Sequence, residues 1–178
     1  MTLSDSARAL LSEWKPQHDE QRQLRDDFLR HIDTADHPWS RDCLPDHLTA
    51  SAIVLDHSRT KVLLALHRKV GLWLQFGGHI EPHDKTIADA ANREALEESG
   101  VLEISLVKTQ PLRLDRHAAP CGPAARHHLD IQFLGMADSA VTPRASAESL
   151  AVQWFSVNDL PGETDDAVRQ LVAAACRS

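Results

Sequence analysis

The segment that most restricts how this chain can fold runs from residue 72 to residue 100. Leu72-Trp73-Leu74-Gln75-Phe76 reads as a short apolar strand that stops at Gly77-Gly78. A loop containing Pro82 follows. Residues 85–99 then carry the strongest helical pattern in the chain, closed by Gly100. Strand, glycine pair, loop and helix in that order make one unit aimed at a single point. A glycine pair there lets the backbone approach a ligand or metal closely. Around this unit, residues 52–55 and 62–66 are apolar runs separated by Asp56-His57-Ser58-Arg59, the pattern of a hairpin. Further strands are expected over 102–108, 112–115, 129–136 and 151–157, a turn at Cys121-Gly122-Pro123, and a closing helix over 165–176. Strands and helices alternate irregularly, which implies an α/β fold with a mixed sheet.

Residues 4–31 read as helical with an interruption at Pro16. Leu3, Ala7, Leu10, Leu11 and Trp14 fall at helical spacing before it, and Leu24, Phe28, Leu29 and Ile32 after it. A linker is expected from Asp36 to Pro45. The expected division is therefore an N-terminal helical extension, 1–47, and a main domain, 48–178. Amphipathic helices usually bury one face, so the extension is read first as a cap on the main domain; a lid or a homodimer contact is the sharper alternative.

At 178 residues the length suits one domain, and 42% apolar content supplies a core. The net charge of −7 argues against binding a nucleic-acid polymer. Apolar runs reach about six residues where a membrane span needs roughly 20. The first 20 residues lack the apolar core of a secretion signal, and Cys43, Cys121 and Cys176 form no CxxC pair. A cytoplasmic protein without a disulfide framework or thiolate zinc site is expected.

The helix over 85–99 is chemically unusual. Glu94, Glu97 and Glu98 share one sector about 100° wide, bordering the apolar side of Ile87, Ala90 and Ala91. All three lie near the helix C-terminus, where the dipole disfavours negative charge, and they repel one another. A divalent cation would offset both effects. Carboxylate oxygens without Cys or His partners suit Mg2+, with Mn2+ as a substitute, over zinc. A solvated acidic face is the ordinary alternative; the glycine pair upstream weighs against it.

These residues resemble the signature of the Nudix hydrolase family: a glycine, five residues, an acid, seven residues, then Arg-Glu-apolar-x-Glu-Glu-x-Gly-apolar. Here it spans residues 78–101, with Arg93-Glu94-Ala95-Leu96-Glu97-Glu98-Ser99-Gly100-Val101 matching at every fixed position. Asp84 stands where the family usually has Glu, and one extra residue separates it from Arg93. The resemblance covers roughly residues 48–176 and implies an α/β/α sandwich around a mixed sheet. It also implies a Mg2+-dependent pyrophosphohydrolase acting on a small molecule, a nucleoside diphosphate linked to a further group X.

Carried over position by position, the resemblance makes Glu94, Glu97 and Glu98 metal ligands, with the Gly77 carbonyl as a further one. Glu94 or Glu98 serves as base for the attacking water, and Arg93 orients an acid through a bidentate pair. Some members take their base from outside the signature, and Glu148 is the candidate here. Gly77, Gly78, His79 and Arg68 are expected at the substrate. Adjacent His127 and His128 point to opposite sides of a strand, so they are not expected to chelate one ion. Trp73 and Phe76 are expected in the core before any role in stacking on a base. A catalytically inactive Nudix-fold sensing or interaction module is the alternative function, supported by the extension and the one-residue insertion, and opposed by retention of all three glutamates. Other chemistry on the same scaffold also remains open, because fold does not fix function.

Overall fold

The computed structural model describes residues 2–118 and 127–178, so the turn expected at Cys121-Gly122-Pro123 lies outside the described residues. Two N-terminal helices lead, α1 (Leu3–Glu13) and α2 (Asp19–Thr34). Thr2 caps α1 in a reciprocal box with Asp5, and the break between the helices falls at Pro16, as its lost N–H requires. Strands β1 (Asp46–Asp56) and β2 (Lys61–His67) form the expected hairpin, with Val54 opposite Leu63. Then come β3 (Trp73–Leu74), β4 (Phe76–His79), α3 (Ile87–Ser99), β5 (Ser105–Leu106), β6 (Arg113–Ala118), β7 (His127–Ala137), β8 (Ser149–Ser156) and α4 (Asp166–Arg177). The strand expected over 102–108 shrinks to the two residues of β5, whose flanks Leu102 and Glu103 are exposed.

The sheet is mixed, with the order β3-β2-β1-β7-β5 along its main path. Its centre is the parallel pair β1·β7, in register from Asp46 opposite His127 to Asp56 opposite Ala137. The other pairings are antiparallel. β1 shares one edge between two partners: β4 along Thr49–Ala52 and β2 beyond it. Both faces are covered. On one, Leu48, Ala50, Ala52, Phe76, Ile131 and Phe133 pack with α1, α2 and α3. On the other, Ile53, Leu55, Val62, Leu64 and Leu134 pack with Val168, Leu171 and Val172 of α4.

The N-terminal helices are built into the main core, as a cap would be: Ala7, Leu11, Phe28 and Ile32 join the cluster that contains Ile87 of α3 and Leu114 of β6. Gln21 fixes the dock. Its Oε1 accepts the Leu114 N–H at 2.7 Å and its Nε2 donates to the Leu114 carbonyl at 3.0 Å, so the side chain stands where another strand would pair. Gln21→Ala leaves both backbone groups buried and unpaired. The expected loss is about 2 kcal/mol, read as a lower urea midpoint. Among the described residues, no helix is long and apolar enough to cross a membrane.

Candidate metal and hydrolytic site

The glycine pair is not a bend. Gly77 and Gly78 lie inside β4, opposite Ser51 and Ala50 of β1, and neither has a positive φ. Glycine is needed there for space. A Cβ on Gly77 would stand 2.3 Å from Ser51 Cβ and 2.9 Å from the Ala50 carbonyl oxygen, while one on Gly78 would stand 2.8 Å from Glu94 Oε1. The two clashes differ in kind. Gly77→Ala forces sheet backbone apart and is expected to cost about 1–3 kcal/mol. Gly78→Ala meets only the end of a flexible side chain, so turnover should fall much more than the unfolding midpoint.

Helix α3 begins at Thr86, whose hydroxyl accepts the Asp89 N–H, and ends at Gly100 in the left-handed region at φ 64°. Its buried face, Ile87, Ala90, Ala91 and Ala95, presses on the sheet and presents Glu94 and Glu98 to β4. Glu98 Oε2 accepts the Gly77 N–H at 3.1 Å. Burial pushes the Glu98 carboxyl up to about 8, and the charges of Glu94, Glu148 and Glu97 push in the same direction against the Gly77 hydrogen bond. Glu94 is raised too, by burial, even though Arg93 donates to it. Glu97 is exposed, and Glu148 lies in the exposed loop ahead of β8, its charge felt at Glu94 and Glu98.

Arg93 organises the acids. Its Nε and Nη2 fork onto Asp84 at 3.1 and 2.9 Å, Nη1 reaches Glu94 at 2.9 Å and Glu97 at 3.3 Å, and Nη2 also donates to the His79 carbonyl at 3.0 Å. Asp84, whose place the extra residue put in question, is buried and receives this fork together with the Glu81 N–H at 2.8 Å. The loop thus absorbs the insertion and still delivers a carboxylate to Arg93. Arg68 is placed elsewhere: its guanidinium donates to the carbonyls of Ala147 and Ser149, strapping the loop that carries Glu148. Phe76 is core, and Trp73 packs edge-on against Phe155 with ring centroids 4.7 Å apart.

The β4 register also gathers side chains that the spacing of residues left apart. His79 Nε2 lies 3.1 Å from His47 Nε2, and His128 packs edge-on to both rings. Burial lowers all three; His79 falls to about 4 and His128 to about 3, with the charge of Arg41 acting the same way. Next to them Asp130 is fully enclosed, accepting from Thr49, Ser51 and Gln132 at 3.0, 2.6 and 3.1 Å. His127, on the opposite side as expected, binds Asp46. His47 and Asp130 were missed because only the parallel β1·β7 register places His47 opposite His128 and Thr49 opposite Asp130, and His117 because only the antiparallel β6·β7 register sets it opposite His128. Period-two alternation along both strands was the signal available.

The NUDIX domain family model matches residues 45–175. An oxidized purine nucleoside triphosphate hydrolase of Mus musculus is 30% identical over 112 residues, covering 61% of this chain and 67% of the mouse protein. A crystal structure of a NUDIX-family hydrolase from Clostridium perfringens matches with a TM-score of 0.59 at 25% identity, over 72% of this chain and 93% of that one. A C. elegans Ap4A hydrolase shares the fold, with a TM-score of 0.59 at 15% identity, over 71% and 93% of the two chains. With the signature held between β4 and α3, and a family model spanning most of the sequence, this chain belongs to the Nudix hydrolase family.

Proposed function

We propose that this protein is a Mg2+-dependent pyrophosphohydrolase that cleaves the diphosphate of a nucleoside diphosphate linked to a group X. The observation that carries the reading is the convergence of two raised carboxyls, Glu94 and Glu98, on the glycine pair of β4. Buried acids that repel one another are poised for a dication, and an all-oxygen donor set fits Mg2+ or Mn2+. Glu94, Glu97, Glu98 and the Gly77 carbonyl would hold it. When bound, the ion supplies charge neutralisation and polarisation at the diphosphate, which a protein of net charge −7 would otherwise repel.

The residues of the chain do the rest. Arg93, locked by Asp84, fixes the direction of Glu94. Glu98 takes a proton from the attacking water, its raised basicity suiting that role. The water oxygen bonds to one phosphorus, the bridging P–O bond breaks, and the bridging oxygen leaves with the other phosphate, giving a nucleoside monophosphate and phosphorylated X. Glu148, whose charge is felt at Glu98, is the second acid proposed to share the proton; His79 faces the other side of β4, and Arg68 acts only by holding the loop that carries Glu148.

The test is a panel of ADP-ribose, NADH, dinucleoside polyphosphates, nucleotide sugars and oxidised purine nucleoside triphosphates, the last suggested by the name of the mouse relative. Incubation with Mg2+ in heavy-oxygen water should release nucleotide products, one of them labelled at phosphorus. No turnover of any compound, with Mg2+ binding unchanged in Glu98→Gln, would instead identify a sensing module.

A further inference from the structure

We infer that His47, His79 and His128 form a binding site for one zinc-class transition-metal ion, separate from the carboxylate site on α3. The three rings come from three strands, β1, β4 and β7, and each offers a nitrogen such that all lie within 4.8 Å of one another. Among the described residues this trio is gathered to that degree, whereas the glutamates of α3 are not. Zinc–nitrogen bonds of about 2.0–2.1 Å at tetrahedral angles put ligand nitrogens about 3.4 Å apart. The His47 and His79 nitrogens already stand 3.1 Å apart, so His128 needs only a small ring movement to complete a tripod.

The surroundings fit a ligand set. His47 is fully buried and anchors the site in the central strand. His128 Nδ1 lies 3.3 Å from His117 Nε2, and His117 Nδ1 lies 2.9 Å from Asp115 Oδ2. That chain matches the outer-shell pattern of metal-bound histidines, a ring N–H handed outward to an acceptor that ends in a carboxylate. In the metal-bound form His128 carries its proton on Nδ1, donates it to His117, and ligates through Nε2. Neutral imidazoles do not attract a phosphate, but they bind late first-row divalent ions well.

The two sites lie on opposite faces of one strand. Ser51 and Thr49, the β1 partners of Gly77 and His79, point toward Asp130, so His79 projects to that side. Gly78 opens toward Glu94 of α3 on the other. Oxygen donors thus stand on the helix side and nitrogen donors on the far side, which sorts Mg2+ from zinc by ligand chemistry. Bound zinc would tie β1, β4 and β7 together beside the hydrolytic site and leave a fourth coordination position open.

The experiment uses the full untagged chain, stripped of metal and free of Mg2+, so it stands independently of the hydrolase reading. Co2+ titration near neutral pH should give the visible absorption of a nitrogen-ligated, low-coordinate ion that saturates at one per chain, and Zn2+ should displace it. His79→Ala and His128→Ala, whose rings are only partly buried, should each abolish the band. His117→Gln should weaken the affinity by about 10–100-fold. His127→Gln and Glu98→Gln should leave it intact. A band that survives both alanine variants, or one lost with Glu98→Gln in their place, overturns the assignment.

Discussion

Glu98→Gln is expected to lower kcat by about 10²–10⁴-fold, the usual contribution of a positioned base, and to raise the Mg2+ concentration that turnover requires. The same substitution should make the metal-free protein more stable in alkaline solution. In the folded chain the Glu98 carboxyl titrates at about 8, against 4.5 for an unburied glutamate, so folding favours its protonated form. Stability from this group is therefore full below about pH 4.5 and is lost as pH rises through 8. Glutamine keeps the neutral form at every pH. Thermal unfolding of both proteins without Mg2+ should give curves that diverge across that window, the variant lying above. Subtracting the two curves removes the opposite slope of His79 and His128, whose lowered values cost stability as pH falls below 6.5. Added Mg2+ should raise the melting temperature of the wild type and not of the variant. Parallel curves and an unchanged response to Mg2+ would sink the assignment of Glu98 as a buried, metal-poised acid.

Asp84→Ala is expected to cost about 3 kcal/mol, the lower end of the range for breaking a buried ion pair, because Arg93 keeps Glu94, Glu97 and the His79 carbonyl as partners. The Asp84 side chain is 3% exposed and that of Arg93 15%, so water can do little to compensate. Activity should fall with stability, because an Arg93 released from Asp84 is free to draw Glu94 away from Gly78. Asp84→Glu, which restores the residue usual in the family, should not be neutral. The carboxylate already meets Arg93 at 2.9 and 3.1 Å, and one more methylene has no room. A cost of about 1–3 kcal/mol is expected from overpacking. Burial raises the Asp84 carboxyl, but the Arg93 fork and the Glu81 N–H outweigh it and hold it below 3.8. Its stabilisation is therefore present above that value and disappears only in stronger acid. Urea unfolding of the three proteins, with turnover measured alongside, decides the point.

The elements were legible where one face of a periodic segment is buried. The apolar spacing in α1, α2 and α4, the stop at Pro16 and the left-handed Gly100 all carry their own local cause. The acidic helix was legible for a different reason: three glutamates near a C-terminus have no local benefit. Gly77 and Gly78 were misread as a stop because glycine looks the same whether it turns the chain or makes room. Only Ser51 and Glu94, which belong to distant segments, reveal that it makes room. Arg68 looked available to a phosphate, yet the carbonyls it holds belong to residues some 80 positions away. His128 was set aside by comparing it with its neighbour His127, when its partners lie across the sheet.

The parallel pairing of β1 with β7 has a consequence for how the molecule is made. Asp46 waits for His127, 81 positions later in the chain, before the central ladder can start to close. During synthesis at about 5–20 residues per second, a strand whose positions 47–56 are all buried in the finished fold spends several seconds outside the ribosome with that edge unclaimed. Nascent chains halted before β7 should therefore be targets for holding chaperones, and release should coincide with emergence of residues 127–137 from the exit tunnel.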